Sequence, residues 1–121
     1  MGNAASQVKR ASEFEGALAA ALVDAESGMI LAAAGQSPGI DLELAAAGVT
    51  EVLRAKQRTI AALHLADDVE DMLITLTTQY HLLRPLQKAP SVFFYLILDR
   101  GRANLALARR MLAEIETHAT L

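Results

Sequence analysis

Val92-Phe93-Phe94-Tyr95-Leu96-Ile97-Leu98-Asp99 carries seven apolar residues in a row before its aspartate. Side chains alternate across a strand, so a sheet wet on one side would show a polar residue at every second position. None occurs between Val92 and Leu98, and both faces must therefore be covered. That pattern predicts a central strand in a three-layer sandwich. Arg100-Gly101-Arg102-Ala103-Asn104 follow and lead into a helix predicted from Arg102 to about Thr117, with Asp99 placed to cap it. Leu105, Ala108, Leu112 and Ile115 would form its buried face.

Working outward, Ala17 to Asp24 is also apolar on both faces: Ala17, Ala19, Ala21 and Val23 against Leu18, Ala20 and Leu22. It reads as a second central strand. Ala25-Glu26-Ser27-Gly28 is a turn with glycine where positive φ is needed, and Met29 to Ala34 returns as the partner of a hairpin. Upstream, Ser6 to Glu15 reads as a short helix with a Ser12-x-x-Glu15 capping box. Ser37-Pro38-Gly39 breaks the chain, and Asp41 caps a long helix from Leu42 to about His64. Leu42, Ala45, Ala46, Val49, Leu53, Ile60 and Leu63 recur there at helical spacing. A second stripe, Leu44, Gly48, Ala55 and Ala62, runs nearly opposite and is interrupted by Glu51. Its small residues either permit close approach of another helix or are helix formers on a wet face, with Gly48 tolerated at about 1 kcal/mol.

Asp67-Asp68-Val69-Glu70-Asp71 opens a half-polar alternation from Met72 to Thr78, suited to a strand near the sheet edge. Tyr80 to Gln87 is looser and contains Pro85, which belongs at an edge or a bulge. Lys88-Ala89-Pro90 is a turn. With the two wholly apolar strands in the middle and helices needed on both faces, the predicted sheet order is 2-1-5-4-3. The fold class is α/β, a profilin-like three-layer α/β/α sandwich with an antiparallel five-stranded sheet. The long helix lies on one face and the terminal helices on the other.

At 121 residues the chain forms one domain over 1–121, with 1–15 a short N-terminal helix or leader. Apolar residues make up 53%, much of it Ala, an excess that implies burial against another chain. Cysteine is absent, which excludes disulfides and thiolate chemistry and fits a cytoplasmic protein. A net charge of -3 argues against a nucleic-acid binder that works by neutralising phosphates. No apolar stretch approaches the ~20 residues of a membrane span, and no export pattern opens the sequence. Met1-Gly2-Asn3-Ala4-Ala5-Ser6 fits the loose myristoylation pattern but reads more simply as a polar leader.

Gly16-Ala17-Leu18 through Val23-Asp24-Ala25-Glu26-Ser27-Gly28-Met29-Ile30-Leu31-Ala32 resembles the opening hairpin of the roadblock-type dynein light chain family. Tyr95-Leu96-Ile97-Leu98-Asp99-Arg100 through Leu105-Ala106-Leu107-Ala108-Arg109 is similar to that family's last strand and helix. The order of elements agrees from Gly16 to about Glu116, although the first helix is shortened. The resemblance implies a homodimer in which long helices pack together and third strands pair, joining two five-stranded sheets. It also implies a non-enzymatic role in regulating or scaffolding small Ras-like GTPases or motor complexes. Bacterial members include GTPase-activating partners of such a GTPase. On that expectation the dimer interface takes Leu44, Gly48, Glu51, Ala55 and Ala62 from the long helix, and Met72, Ile74, Leu76 and Thr78 from the third strand. Two-fold antiparallel pairing would keep the Asp67–Asp71 clusters of the two chains apart.

No glycine-rich phosphate loop occurs, so the chain is not itself a P-loop GTPase. His64, His81 and His118 are widely separated, and no metal site or cofactor is expected. Thr75, Thr77, Thr78 and Tyr80 reflect β propensity, and no nucleophile–base pair can be named for a hydrolase or transferase. Arg54 and Arg58 on the long helix, with Arg100 and Arg102 near the last helix, form the candidate partner surface. Arg102 is expected at the positive end of that helix's dipole, pointing to an anionic partner. A small-ligand sensory domain is the alternative that a profilin-like sandwich would serve.

Overall fold

Eight elements follow one another in the computed structural model, which describes residues 2–121. They are α1 (Ala4–Ser12), β1 (Ala17–Asp24), β2 (Ile30–Ala34), α2 (Leu42–Ala62), β3 (Met72–Thr75), β4 (Gln79–Pro85), β5 (Val92–Asp99) and α3 (Leu105–His118). The strands form one antiparallel sheet in the order β2-β1-β5-β4-β3, as the apolar patterning predicts. Met1, the first residue of the leader pattern, lies outside the described residues.

Alternation along β1 and β5 divides the core in two. Ala19, Ala21, Val23, Phe93, Tyr95 and Ile97 point to one face and meet Leu42, Ala46, Val49 and Leu53 of α2. Ala20, Leu22, Phe94, Leu96 and Leu98 point to the other and meet Val8 and Ala11 of α1 with Ala108, Leu112 and Ile115 of α3. Alanines at two successive α2-facing positions of β1, Ala19 and Ala21, leave room for α2 to lie close over the sheet. Gly28 takes φ 76 in the β1–β2 turn, the left-handed conformation expected there.

Caps and boundaries depart from the sequence reading at several points. Asp41 caps α2 as expected, accepting the Leu44 N–H at 3.1 Å. Asp99 does not cap α3. Its carboxylate accepts the Gly101 N–H at 2.9 Å and closes a turn, so the helix starts three residues later than expected, with Asn104 accepting the Leu107 N–H at 3.1 Å. Arg102 therefore stands before the helix rather than in its first turn. Leu105 is only half-buried. Ser12 ends α1 instead of starting a capping box, donating its hydroxyl to the Lys9 carbonyl. α2 stops at Ala62, and Leu63, assigned to the buried stripe, is 61% exposed because the fully buried face ends at Leu53. β3 ends at Thr75, leaving Leu76 and Thr78 in the turn to β4.

A clasp between the chain ends secures α1. Thr120 accepts the Asn3 N–H through its hydroxyl at 2.9 Å and the Ala4 N–H through its carbonyl at 3.0 Å. Asn3 in turn accepts the Thr120 N–H at 2.7 Å and donates to the His118 carbonyl at 3.0 Å. These bonds satisfy backbone groups that both helix ends would otherwise leave open.

Candidate interaction surface

α2 turns two different faces to its surroundings. Opposite the buried Leu42, Ala46, Val49 and Leu53, the positions Leu44, Gly48, Glu51, Ala55, Arg58 and Ala62 are all exposed, Leu44 at 70%. A Cβ built on Gly48 would find no atom within 4 Å. Nothing inside the protomer calls for glycine there, although glycine weakens a helix by about 1 kcal/mol relative to alanine. Leu63 and Leu65, 61% and 49% exposed, continue the apolar surface past the helix end.

β3 is the sheet's outer strand and, among the described residues, pairs only with β4. Met72 and Ile74 sit half-buried against the α2-side core, while the far edge of the strand has no neighbouring strand among the described residues. Such an open edge is a template for further pairing. The turn beyond it is occupied internally. Leu76 donates its N–H to Gln79 at 2.8 Å and accepts from the Arg100 guanidinium at 2.8 Å, and Thr78 accepts the Arg100 N–H at 3.0 Å. Of the acidic residues before β3, Asp71 holds Arg109 of α3 through two bonds of 3.0 and 2.8 Å. Asp67, Asp68 and Glu70 remain exposed.

The four arginines do not form one patch. Arg54 reaches the β1–β2 turn, donating to the Glu26 carbonyl at 3.3 Å, and Arg58 lies a turn further on. Arg100 follows the opposite end of β5 and lies 5.2 Å over the Tyr80 ring. Arg102 is exposed beside it.

Two polar pairs inside the layers were not read from the sequence. Arg84 of β4 meets Glu116 of α3 at 3.2 Å, and the other Glu116 oxygen accepts the Gln87 N–H at 3.3 Å. Glu116 is one helical turn beyond the buried Leu112, so a charge in the apolar register was the available signal. The pair lines a surface cleft of about 420 Å³ with Asp68, Glu70, Pro85 and Pro90. No group of three or more His, Asp or Glu among the described residues could hold a metal ion.

On the α2 face, His81 is hydrogen-bonded by Nδ1 to the Tyr95 hydroxyl at 2.6 Å and by Nε2 to Gln79 at 2.8 Å. A neutral ring satisfies both contacts, accepting from the phenol and donating to the amide. Burial lowers the His81 pKa below its usual value and pushes Tyr95 up to about 12. A histidine depressed in the folded state binds fewer protons than the unfolded chain does below pH ~6.5. Its contribution is therefore intact above that value and is lost as pH falls towards the folded pKa. Melting temperatures from pH 7.5 to 5 should fall for the native chain, with a shallower fall for His81→Asn; equal slopes would remove His81 from this role.

No protein-family model and no curated protein matches the sequence. Among solved structures, Myxococcus xanthus MglB superposes with a TM-score of 0.81 at 16% identity, covering 96% of this chain and 90% of that one. A Roadblock/LC7 domain from Streptomyces avermitilis gives 0.78 at 11% identity, covering 93% and 91%. A structure described as MglB with tetrameric arrangement gives 0.74 at 18% identity, covering 95% and 88%. At these identities the likeness speaks for architecture. The strand order, the placement of all three helices and these superpositions agree: the chain has the roadblock-type fold.

Proposed function

We propose that this protein is a homodimeric, non-enzymatic interaction module that regulates or scaffolds a small Ras-like GTPase or a signalling complex built around one. The observation that carries the self-association is the outward face of α2, where an unexplained glycine sits among exposed small and apolar residues. The interface taken here is Leu44, Gly48, Glu51, Ala55 and Ala62 with Met72 and Ile74. The Leu76–Thr78 turn flanks it rather than extending the strand. The open edge of β3 lies on the same chain segment that follows α2, so helix and strand can contribute to one surface. A solved neighbour of the same fold carries a tetrameric arrangement in its description, which supports assembly through repeated copies. Support for the GTPase partner comes from the family resemblance of the β1–β2 hairpin and the β5–α3 segment. Arg54 and Arg58, or Arg100 and Arg102, would serve as docking points at opposite ends of the sheet. No helix among the described residues is long and apolar enough to cross a membrane.

Sedimentation velocity over a wide concentration range, followed by affinity capture in GTP and in GDP, tests this function. The expected result is a species of twice 12.9 kDa that retains a GTP-binding protein in one nucleotide state more than in the other. A monomer that retains no GTP-binding protein in either state would overturn it.

A further inference from the structure

We propose that Glu51 and Arg58 form two symmetry-related ion pairs between copies of the chain, and that these set the two α2 helices antiparallel, centred between Arg54 and Ala55. The inference rests on the homodimer argued above and assigns its register. Glu51 and Arg58 are seven residues apart, two turns of helix, so they share the outward stripe. Both are exposed. The two ion pairs among the described residues are Arg84–Glu116 and Arg109–Asp71, so neither Glu51 nor Arg58 is ion-paired there. Arg54, the other base close to Glu51, is already turned to the Glu26 carbonyl.

A two-fold axis decides between the possible arrangements. Parallel helices would bring Glu51 against Glu51 and Arg58 against Arg58. Antiparallel helices centred between residues 54 and 55 bring each Glu51 opposite Arg58 of the second copy, and symmetry makes the contact twice. The same register sets Gly48 within one residue of level with Ala62 of the second copy, both on the outward stripe, so small residues face small residues. That allows an axis separation near the lower end of the usual 8–10 Å. Leu44, 70% exposed, then comes beside the C-terminal end of the second copy's α2. Sliding the helices until Glu51 meets Glu51 would restore the like-charge contact.

Charge reversal on the purified full chain tests the register, with dissociation constants from sedimentation equilibrium at low salt. Glu51→Arg and Arg58→Glu should each weaken the dimer by about tenfold or more, because each removes two attractions and creates two repulsions. The double variant Glu51→Arg/Arg58→Glu should return to within about threefold of the native chain. That recovery also excludes misfolding as the cause of the single effects. A dimer insensitive to both single reversals, or a double variant no tighter than either single one, overturns the register while the homodimer stands. A native chain that stays monomeric at every concentration overturns the homodimer and the register together.

Discussion

Phe93→Ala and Phe94→Ala will each destabilise the protein by about 3–5 kcal/mol, the range for truncating a fully buried phenylalanine. The pair is informative because the two residues are neighbours in β5 and point in opposite directions. Phe93, 0% exposed, packs in the cluster with Leu42, Val49 and Leu53 of α2. Phe94, 1% exposed, packs in the cluster with Val8 of α1 and Leu112 and Ile115 of α3. In a sheet wet on one side, one of the two would be a surface residue, and its truncation would move stability by no more than about 0.5 kcal/mol. Both large losses are expected here, each a major fraction of the ~5–15 kcal/mol that holds a domain of this size. Urea denaturation of the two variants measures this. A small loss at either position contradicts the three-layer architecture.

Gly16→Ala will be nearly as damaging, although it adds one methyl group. Gly16 has φ 88, and a Cβ built there would stand 2.8 Å from the Ala103 nitrogen and 2.9 Å from its Cα. Backbone cannot rotate away as a flexible side chain can. The Gly16 carbonyl also accepts the Asp99 N–H at 2.8 Å, tying the start of β1 to the end of β5. Left-handed strain of ~1–3 kcal/mol and a forced backbone shift of ~1–3 kcal/mol give an expected loss of about 2–5 kcal/mol. Gly39 separates the two contributions. It has φ 86 but no atom within 4 Å of a built Cβ, so Gly39→Ala should show the backbone strain alone. Equal losses at the two glycines would mean that the clash with Ala103 relaxes freely.

The first of these predictions rests on a feature that the sequence displays openly, the second on a close approach that only the structure shows. A strand apolar on both faces has no alternative to the sheet centre, so β1, β5 and the strand order followed from patterning. Boundaries were less legible, because two good caps compete before α3. Asp99 and Asn104 are both cap formers, and only the turn closed by Asp99 on Gly101 decides that the later one is used. Pairings across long separations left weaker traces. Arg84 and Glu116 are 32 residues apart, and Arg109 and Asp71 are 38 apart, so no local spacing announces either. His81 and Tyr95 meet as diagonal neighbours on β4 and β5, a relation visible only once the register pairs His81 with Ile97. The outward stripe of α2 was readable as a pattern, but its meaning was not: alanine suits a wet helix face and a close helix contact equally well. The empty space around Gly48 shows only that no contact within the described residues requires glycine there.

A single cysteine at Ala55, in a chain that has none of its own, reports directly on what covers that stripe. The rate of thiol labelling of Ala55→Cys should fall steeply as protein concentration rises through the dimer dissociation constant. Labelling of Ala106→Cys, exposed on α3, should stay constant. If both thiols react at the same rate at every concentration, no second copy lies over the outward face of α2.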